Sequence, residues 1–192
     1  MRTLKIEYIF LLFSFVTLTK GNLLAQSDSL TAKNTIFVEV LGNGGLYSIN
    51  FDRILAQKKN IKVTARIGAS FIPNTESNGK WSLPVEFNFL YGKKKHWEFG
   101  IGFGYGHGLN NVITNYYNEN LLISSTLFGT IKILNYRYQK PEGGIFFQIG
   151  FVSIIQIHEF NESLISGYRY KPIQNYFYPN LGLGYTFKSK KK

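Results

Sequence analysis

Aromatic and aliphatic residues alternate with small or polar residues over most of the chain beyond residue 35. The pattern is clearest from Trp97 to Tyr105, where every second residue is aromatic or Ile and the residues between them are Glu98 and glycines. A period of two is typical of a β-strand whose two faces meet different surroundings. The alternation predicts an all-β domain of eight strands, at residues 36–41, 45–53, 61–71, 81–91, 97–106, 122–138, 144–153 and 180–187.

The alternation slips once, within the segment 122–138. Lys132 and Ile133 belong to opposite faces. The phase of the alternation changes at Leu134, and Tyr136 and Tyr138 then continue the apolar face. One extra residue in a strand moves all later side chains to the other face unless a β-bulge absorbs it. We therefore expect a bulge at Leu134.

Eight strands predict a single antiparallel up-and-down barrel, because single-chain bacterial barrels close with an even number of strands. The orientation of the two faces separates a membrane barrel from a soluble one. A soluble barrel of the lipocalin type would hide its apolar face inside. Here the other face is mostly Gly, Ser, Thr and Asn, which suits a narrow interior better than a solvated surface. We expect a transmembrane barrel with its apolar face against lipid, and a soluble barrel is the alternative.

Six aromatic residues of the apolar face fall near the ends of their strands. Aromatic girdles at both membrane interfaces are typical of such barrels. The predicted girdle residues are Trp81, Tyr91, Trp97, Tyr105, Tyr185 and Phe187.

Charged residues on the opposite face are predicted to lie inside the barrel. A charge in a narrow interior must be paired or hydrated. We expect a salt-bridge network that fills the barrel, and the alternative is the lining of a narrow channel or a small-solute site. The predicted interior charges are Asp52, Lys62, Arg66, Glu86, Glu98 and Lys132.

The N-terminal residues have the pattern of a secretory signal peptide. Arg2 and Lys5 precede an apolar run over residues 8–18, which is shorter than the roughly 20 residues of a membrane-spanning helix. Cleavage is expected after Ala25, so that residues 1–25 are the signal peptide and residues 26–192 the barrel domain. A membrane-anchoring N-terminal helix is the alternative. The chain contains no Cys, which excludes disulfides, thiol chemistry and a lipid anchor on cysteine.

The topology follows from the spacing of the strands. With a periplasmic N-terminus, the short connections 55–60, 92–95 and 139–143 lie on the inner side of the membrane. The connections 42–44, 73–80, 108–120 and 159–175 then lie on the outer side. The net charge of +11 raises the question of nucleic acid, but the lysines cluster between or after strands and not along one face. We expect no nucleic-acid partner, and contact of these lysines with lipid phosphates.

The connection between the fifth and sixth strands is rich in Asn and Tyr. Asn115, Tyr116 and Tyr117 are candidate surface-contact residues, since such side chains suit contact with an extracellular protein or glycan. A solvated loop without a partner is the simpler alternative.

Catalytic and metal-binding patterns are weak. His158 and Glu159 with Ser163 form the best available group, but their spacing matches no nucleophile–base–acid motif. The three histidines are scattered, with His96 expected at the inner rim and His107 and His158 at the outer rim, their polar tips at the level of the lipid headgroups. We predict no enzyme, no metal and no cofactor.

The last strand carries a motif of a different kind. Gly182, Tyr185 and Phe187 look like the terminal signal that the barrel-assembly machinery of the outer membrane reads. Together with residues 38–53, 99–106 and 135–144, this strand resembles the small outer-membrane β-barrel proteins of Bacteroidetes. The resemblance covers residues 34–188 and implies an outer-membrane location, with membrane lipid and the assembly machinery as partners and no catalytic residues.

Three roles remain open from the sequence. A structural or adhesion-like role at the cell surface is the first. A narrow channel or small-solute binder using the charged interior is the second. A lipid-modifying enzyme at the outer rim is the third.

Overall fold

The computed structural model describes residues 30–73, 80–107, 124–161 and 175–189. Eight strands each pair antiparallel with the next, and the last pairs with the first to close the barrel. The predicted eight-stranded up-and-down β-barrel is confirmed. The predicted signal peptide lies outside the described residues. The strands are β1 Asn34–Val40, β2 Tyr47–Lys58, β3 Ile61–Ile72, β4 Lys80–Gly92, β5 Lys95–His107, β6 Ser124–Gln139, β7 Gly144–Asn161 and β8 Asn175–Phe187.

Several strands extend beyond their predicted ends. The predicted turn 55–60 is wrong, because β2 continues to Lys58 and only Lys59 and Asn60 separate it from β3. A register shift between Ile54 and Ala56 lets this polar end of β2 pair with β3. A second register shift, between Leu127 and Phe128 of β6, breaks the alternation near the end of β7. The sequence therefore predicted an end of β7 that is too early. In both places the alternation is broken while the backbone pairing goes on. No helix in the described ranges is long and apolar enough to cross a membrane.

The bulge predicted in β6 is present. Ile133 pairs with Phe151 and Tyr136 pairs with Ile149, so two residues of β6 oppose one residue of β7. Leu134 takes a φ of 57° and its side chain is exposed, while Asn135 turns inward and is buried. The bulge thereby returns the rest of β6 to the phase of its neighbours.

The outer face of the barrel is apolar and the inner face is largely polar. Ile101 is 66% exposed and Leu183 is 62% exposed, whereas Arg66 is 1% exposed. This is the inverse of a water-soluble domain, in which charged side chains are almost never fully buried. The six predicted girdle residues all lie on the outer face. Trp81 and Tyr105 lie at one end of the barrel, and Tyr91, Trp97, Tyr185 and Phe187 lie at the other.

Glycine occurs on the inner face where opposite side chains leave no space. A Cβ atom at Gly100 would meet the side chain of Asn88, and one at Gly104 would meet the ring of Phe128. A Cβ atom at Gly102 would lie 2.6 Å from Cγ of Glu86. The alternating glycines of β5 therefore make room for the side chains that fill the barrel.

The segment before β1 closes the end of the barrel that holds the short turns. Leu30 and Ala32 are fully buried there. The side chain of Gln57 donates to the Leu30 carbonyl at 3.2 Å and accepts from its backbone N–H at 3.0 Å. The backbone N–H groups of Thr31 and Ala32 both donate to the carbonyl of Pro141 at 2.9 Å. This end is thus plugged by the chain itself.

Candidate functional site

The barrel interior holds a cluster of charged side chains, each at most 1% exposed. The cluster contains as many carboxylates as basic groups, so its formal charges cancel. A buried charge without a partner is very costly, and this balance is the condition for burying the set. We call it the interior network: Glu39, Asp52, Glu86 and Glu98 with Lys62, Arg66, Lys132 and Arg137.

Arg66 lies at the centre of the interior network. Its Nη2 donates to Oε1 of Glu98 at 2.9 Å and its Nη1 donates to Oε2 of Glu86 at 3.1 Å. Its Nε lies 3.5 Å from Oδ2 of Asp52. The guanidinium also lies over the ring of Phe37, 4.7 Å from the centroid, which adds a cation–π contact. A planar five-donor group satisfies several carboxylates at once, which a lysine in this position would not do.

The two basic side chains of β6, Arg137 and Lys132, also pair with carboxylates of the interior network. Nη1 and Nη2 of Arg137 donate to the two carboxylate oxygens of Asp52 at 3.2 and 2.8 Å, a bidentate pair. Nζ of Lys132 donates to Oε1 of Glu39 at 2.7 Å and lies 3.2 Å from Oε2 of Glu86. These contacts cross the barrel, from β6 to strands that are not its neighbours in the sheet.

Glu39 ties the last two strands to the interior network. Its Oε1 also accepts from Nε2 of Gln148 at 2.5 Å and from Nδ2 of Asn180 at 2.9 Å. With these two amides, side chains from all eight strands meet inside the barrel. A buried network of hydrogen bonds of this kind makes the interior of the barrel rigid.

All six charges predicted to point inward lie inside the barrel. Nζ of Lys62 donates to the Gly92 carbonyl at 2.5 Å near a short turn. Glu39 and Arg137 belong to the same set but were missed by the sequence analysis. Glu39 was missed because β1 also points the apolar Phe37 inward. Arg137 follows the bulge, and the phase set by Tyr136 was the signal that would have found it.

The histidines differ from the expectation in one case. His96 lies at the predicted rim, beside the short turn after β4, but it is 1% exposed and its ring points into the barrel and not, as predicted, towards the lipid headgroups. His107 lies on the outer face, with Nδ1 3.0 Å from the hydroxyl of Ser125. His158 is exposed and packs edge-on against Phe160. In the described parts of the chain, no three His, Asp or Glu residues are grouped to hold a metal ion. Ser163, Asn115, Tyr116 and Tyr117 lie outside the described residues.

The first hairpin, residues 41–46, folds into the end of the barrel opposite the short turns, which we call the outer end. Asn43 is fully buried, and its backbone N–H donates to Oε2 of Glu39 at 3.3 Å. The carbonyl of Gly44 accepts from the hydroxyls of Ser70 and Ser82 at 3.0 and 3.1 Å. The hairpin thus fills the side of the barrel mouth that β3 and β4 form.

A cavity of about 430 Å³ occupies the opposite side of the same mouth. It lies above the ring of Phe128 and is bounded by the hairpin and by inward-facing residues of β6, β7 and β8. We call it the outer cavity. Its lining is Leu41, Asn43, Gly44, Gly45, Leu46, Thr126, Phe128, Ile154, Gln156, Tyr176 and Tyr178.

Comparisons with known proteins offer no relative from which a function follows. No protein-family model, no curated protein and no solved structure matches the chain. The resemblance to small outer-membrane barrels of Bacteroidetes therefore stays a prediction from the sequence motifs. The features of the molecule that bear on its function are the polarity of the barrel, the interior network and the outer cavity.

Proposed function

We propose that this chain is a membrane-spanning β-barrel of the bacterial outer membrane, with a closed interior and a structural, surface-displaying role. The observation that carries the proposal is the inverted polarity of the barrel. Apolar side chains such as Ile101 cover its outside, while Arg66 and its carboxylates are buried inside. Water would favour the opposite arrangement, whereas hydrocarbon favours this one.

The dimensions and the ends of the barrel support the same proposal. Strands β2 to β8 have 12 to 18 residues, and a tilted strand needs about 9–11 to cross a bilayer. Aromatic residues of the outer face lie at both ends, as expected at two interfaces. Exposed lysines gather at the end with the short turns, where they would meet lipid phosphates: Lys58, Lys59, Lys93, Lys94, Lys95, Lys140 and Lys188.

The closed interior favours a structural role over a channel. We expect the purified barrel to produce no discrete conductance steps in planar bilayers, because the interior network and the segment around Leu30 occupy the interior and would obstruct the passage of ions. Glu98→Gln keeps the side-chain volume and should leave the bilayer silent as well. Protein-free bilayers with the same detergent are the control. Regular steps whose size changes in Glu98→Gln would instead support the channel alternative.

The surface role is assigned to the connection between β5 and β6, which contains Asn115, Tyr116 and Tyr117. These side chains offer rigid aromatic surface and adaptable hydrogen bonds. Deleting residues 109–120 should leave the barrel folded, since the connection lies between strands and its deletion removes none of their pairing, and should abolish binding of intact cells to an array of glycans and matrix proteins. The triple variant Asn115→Ala, Tyr116→Ala, Tyr117→Ala should reproduce the loss. Unchanged binding in both variants would remove the adhesion-like role and leave the barrel proposal intact.

A further inference from the structure

Part of the lining of the outer cavity is also exposed on the surface of the barrel. Leu41, Leu46 and Tyr176 line the cavity and are also exposed, so they form its rim. This rim lies where β1 is too short to cover β8. β1 pairs with β8 only as far as Val40 and Leu181, whereas β8 begins at Asn175.

β1 therefore does not pair with residues 175–180 of β8, which lie beside the first hairpin. No backbone hydrogen bond joins this edge to residues 41–46, within the part of the chain that the structure describes. Pro179 lies in the same stretch, and proline is favoured at an unpaired edge because it lacks a backbone donor. Among the described residues, the sheet is thus interrupted between the first hairpin and β8, beside the cavity, and we call this place the lateral gap.

The lining of the outer cavity suits a hydrocarbon chain. Leu41, Leu46 and Ile154 contribute aliphatic surface, and the rings of Tyr176 and Tyr178 lie nearly parallel, with centroids 6.1 Å apart. The volume of about 430 Å³ falls in the range of about 300–1,000 Å³ that small-molecule sites occupy. Apolar pockets of this size with a few polar groups are the usual form of a ligand site.

One polar group in the cavity wall lacks a partner. Neither Nδ2 nor Oδ1 of Asn43 has a hydrogen-bond partner among the described residues, although the residue is fully buried. An unpaired buried amide costs free energy, so a native structure that keeps one calls for an explanation such as a bound ligand. An amide donates and accepts, which matches a neutral ester, amide or hydroxyl group. The carboxylate of Glu39, which accepts from the backbone N–H of Asn43, disfavours an anionic group there.

From these observations we propose that the outer cavity binds a single-chain neutral amphiphile that enters from the surrounding membrane through the lateral gap. Asn43 hydrogen-bonds the polar group of the ligand. The acyl chain lies along Ile154 and Tyr176 towards the gap between the first hairpin and β8. The proposal rests on the membrane-spanning barrel proposed above, since the membrane is the source of the ligand.

The test uses 1-monolauroylglycerol that carries a diazirine on its acyl chain, with the full barrel reconstituted in phosphatidylcholine vesicles. After illumination, peptides are identified by mass spectrometry. We expect labels on the cavity-facing residues Phe128, Ile154 and Tyr176, in excess over the apolar outer face. Unlabelled monolauroylglycerol should compete for these labels. Labels spread evenly over the outer face, without competition, would overturn the proposal.

Two variants make the result specific. Thr126→Trp fills the cavity and should abolish the cavity labels. Leu127→Trp introduces the same side chain one position further along β6, on the outer face, and should leave them unchanged. Asn43→Leu removes the amide but keeps the number and branching of the side-chain heavy atoms, and it should weaken competition by about tenfold, the loss expected for one buried hydrogen bond.

Heat-modifiable gel mobility of each variant separates the two proposals. A variant that keeps this mobility is a folded barrel, and persistent labelling in folded Thr126→Trp would refute the cavity site alone. If Thr126→Trp does not fold, Asn43→Leu decides, and unchanged competition there refutes the site. Loss of heat-modifiable mobility in the unmodified protein would instead contradict the membrane barrel itself.

Discussion

Replacing Arg66 with methionine is expected to lower the free energy of unfolding by about 3–5 kcal/mol, the cost of removing one partner from a buried ion pair. Arg66 donates hydrogen bonds to the carboxylates of Glu86 and Glu98, and its Nε lies 3.5 Å from Oδ2 of Asp52. Methionine fills most of the space but leaves one more carboxylate than basic groups in a closed interior. Urea unfolding of the barrel in phosphatidylcholine vesicles measures the difference.

Two further variants show whether the loss comes from charge. Arg53→Met removes an exposed arginine from the outer face of β2 and should change the unfolding free energy by no more than about 0.5 kcal/mol. Adding Glu98→Gln to Arg66→Met restores the balance of charges and should recover part of the loss. If Arg66→Met and Arg53→Met are equally stable, the interior network does not hold the barrel together.

Ile101→Arg is expected to destabilise the barrel by about 2–4 kcal/mol, the cost of an arginine facing lipid near the middle of the bilayer. Ile101 lies at the middle of β5 and is 66% exposed on the apolar face. In a soluble barrel, an arginine at an exposed position would be neutral or favourable. The measurements are the urea midpoint in vesicles and the fraction of heat-modifiable protein in the outer-membrane fraction of cells.

The position of the charge provides the control. Tyr91→Arg places the same side chain at the end of β4, where an interfacial arginine costs only about 0–1 kcal/mol. Ile101→Leu tests whether the site tolerates a volume-conserving change. A processed chain that stays dissolved without detergent, with Ile101→Arg as stable as the unmodified protein, would point to the soluble-barrel alternative.

The number of strands and the identity of their faces could be predicted because alternation is a local property of the chain. The bulge at Leu134 could be predicted for the same reason, since a phase slip between Ile133 and Tyr136 is visible in the sequence. The ends of β2 and β7 could not. There the backbone pairing continues through register shifts, so a polar stretch such as Gln57 to Lys58 remains a strand.

The arrangement of the candidate sites depends on closure of the barrel. Alternation places Lys132 inside the barrel. Its contact with Glu39, 93 residues earlier, depends on closure of the barrel, which brings β6 within reach of β1. The outer cavity is still less visible, because it arises from a short β1 and an inward-folded hairpin. The only local trace is the run of glycines at 42, 44 and 45, where a Cβ at Gly42 would meet the side chain of Glu39.

The contacts inside the barrel restrict how the membrane-spanning barrel proposed above could enter a bilayer. Asp52 meets Arg137, 85 residues away, and Glu39 meets Asn180, 141 residues away, only when the sheet has rolled into a cylinder. A lone hairpin or a half-built sheet in hydrocarbon would carry bare ions, at a cost of several kcal/mol for each. For such a membrane barrel we expect insertion and closure to be coupled, because the interior charges meet their partners only when the first strand pairs with the last.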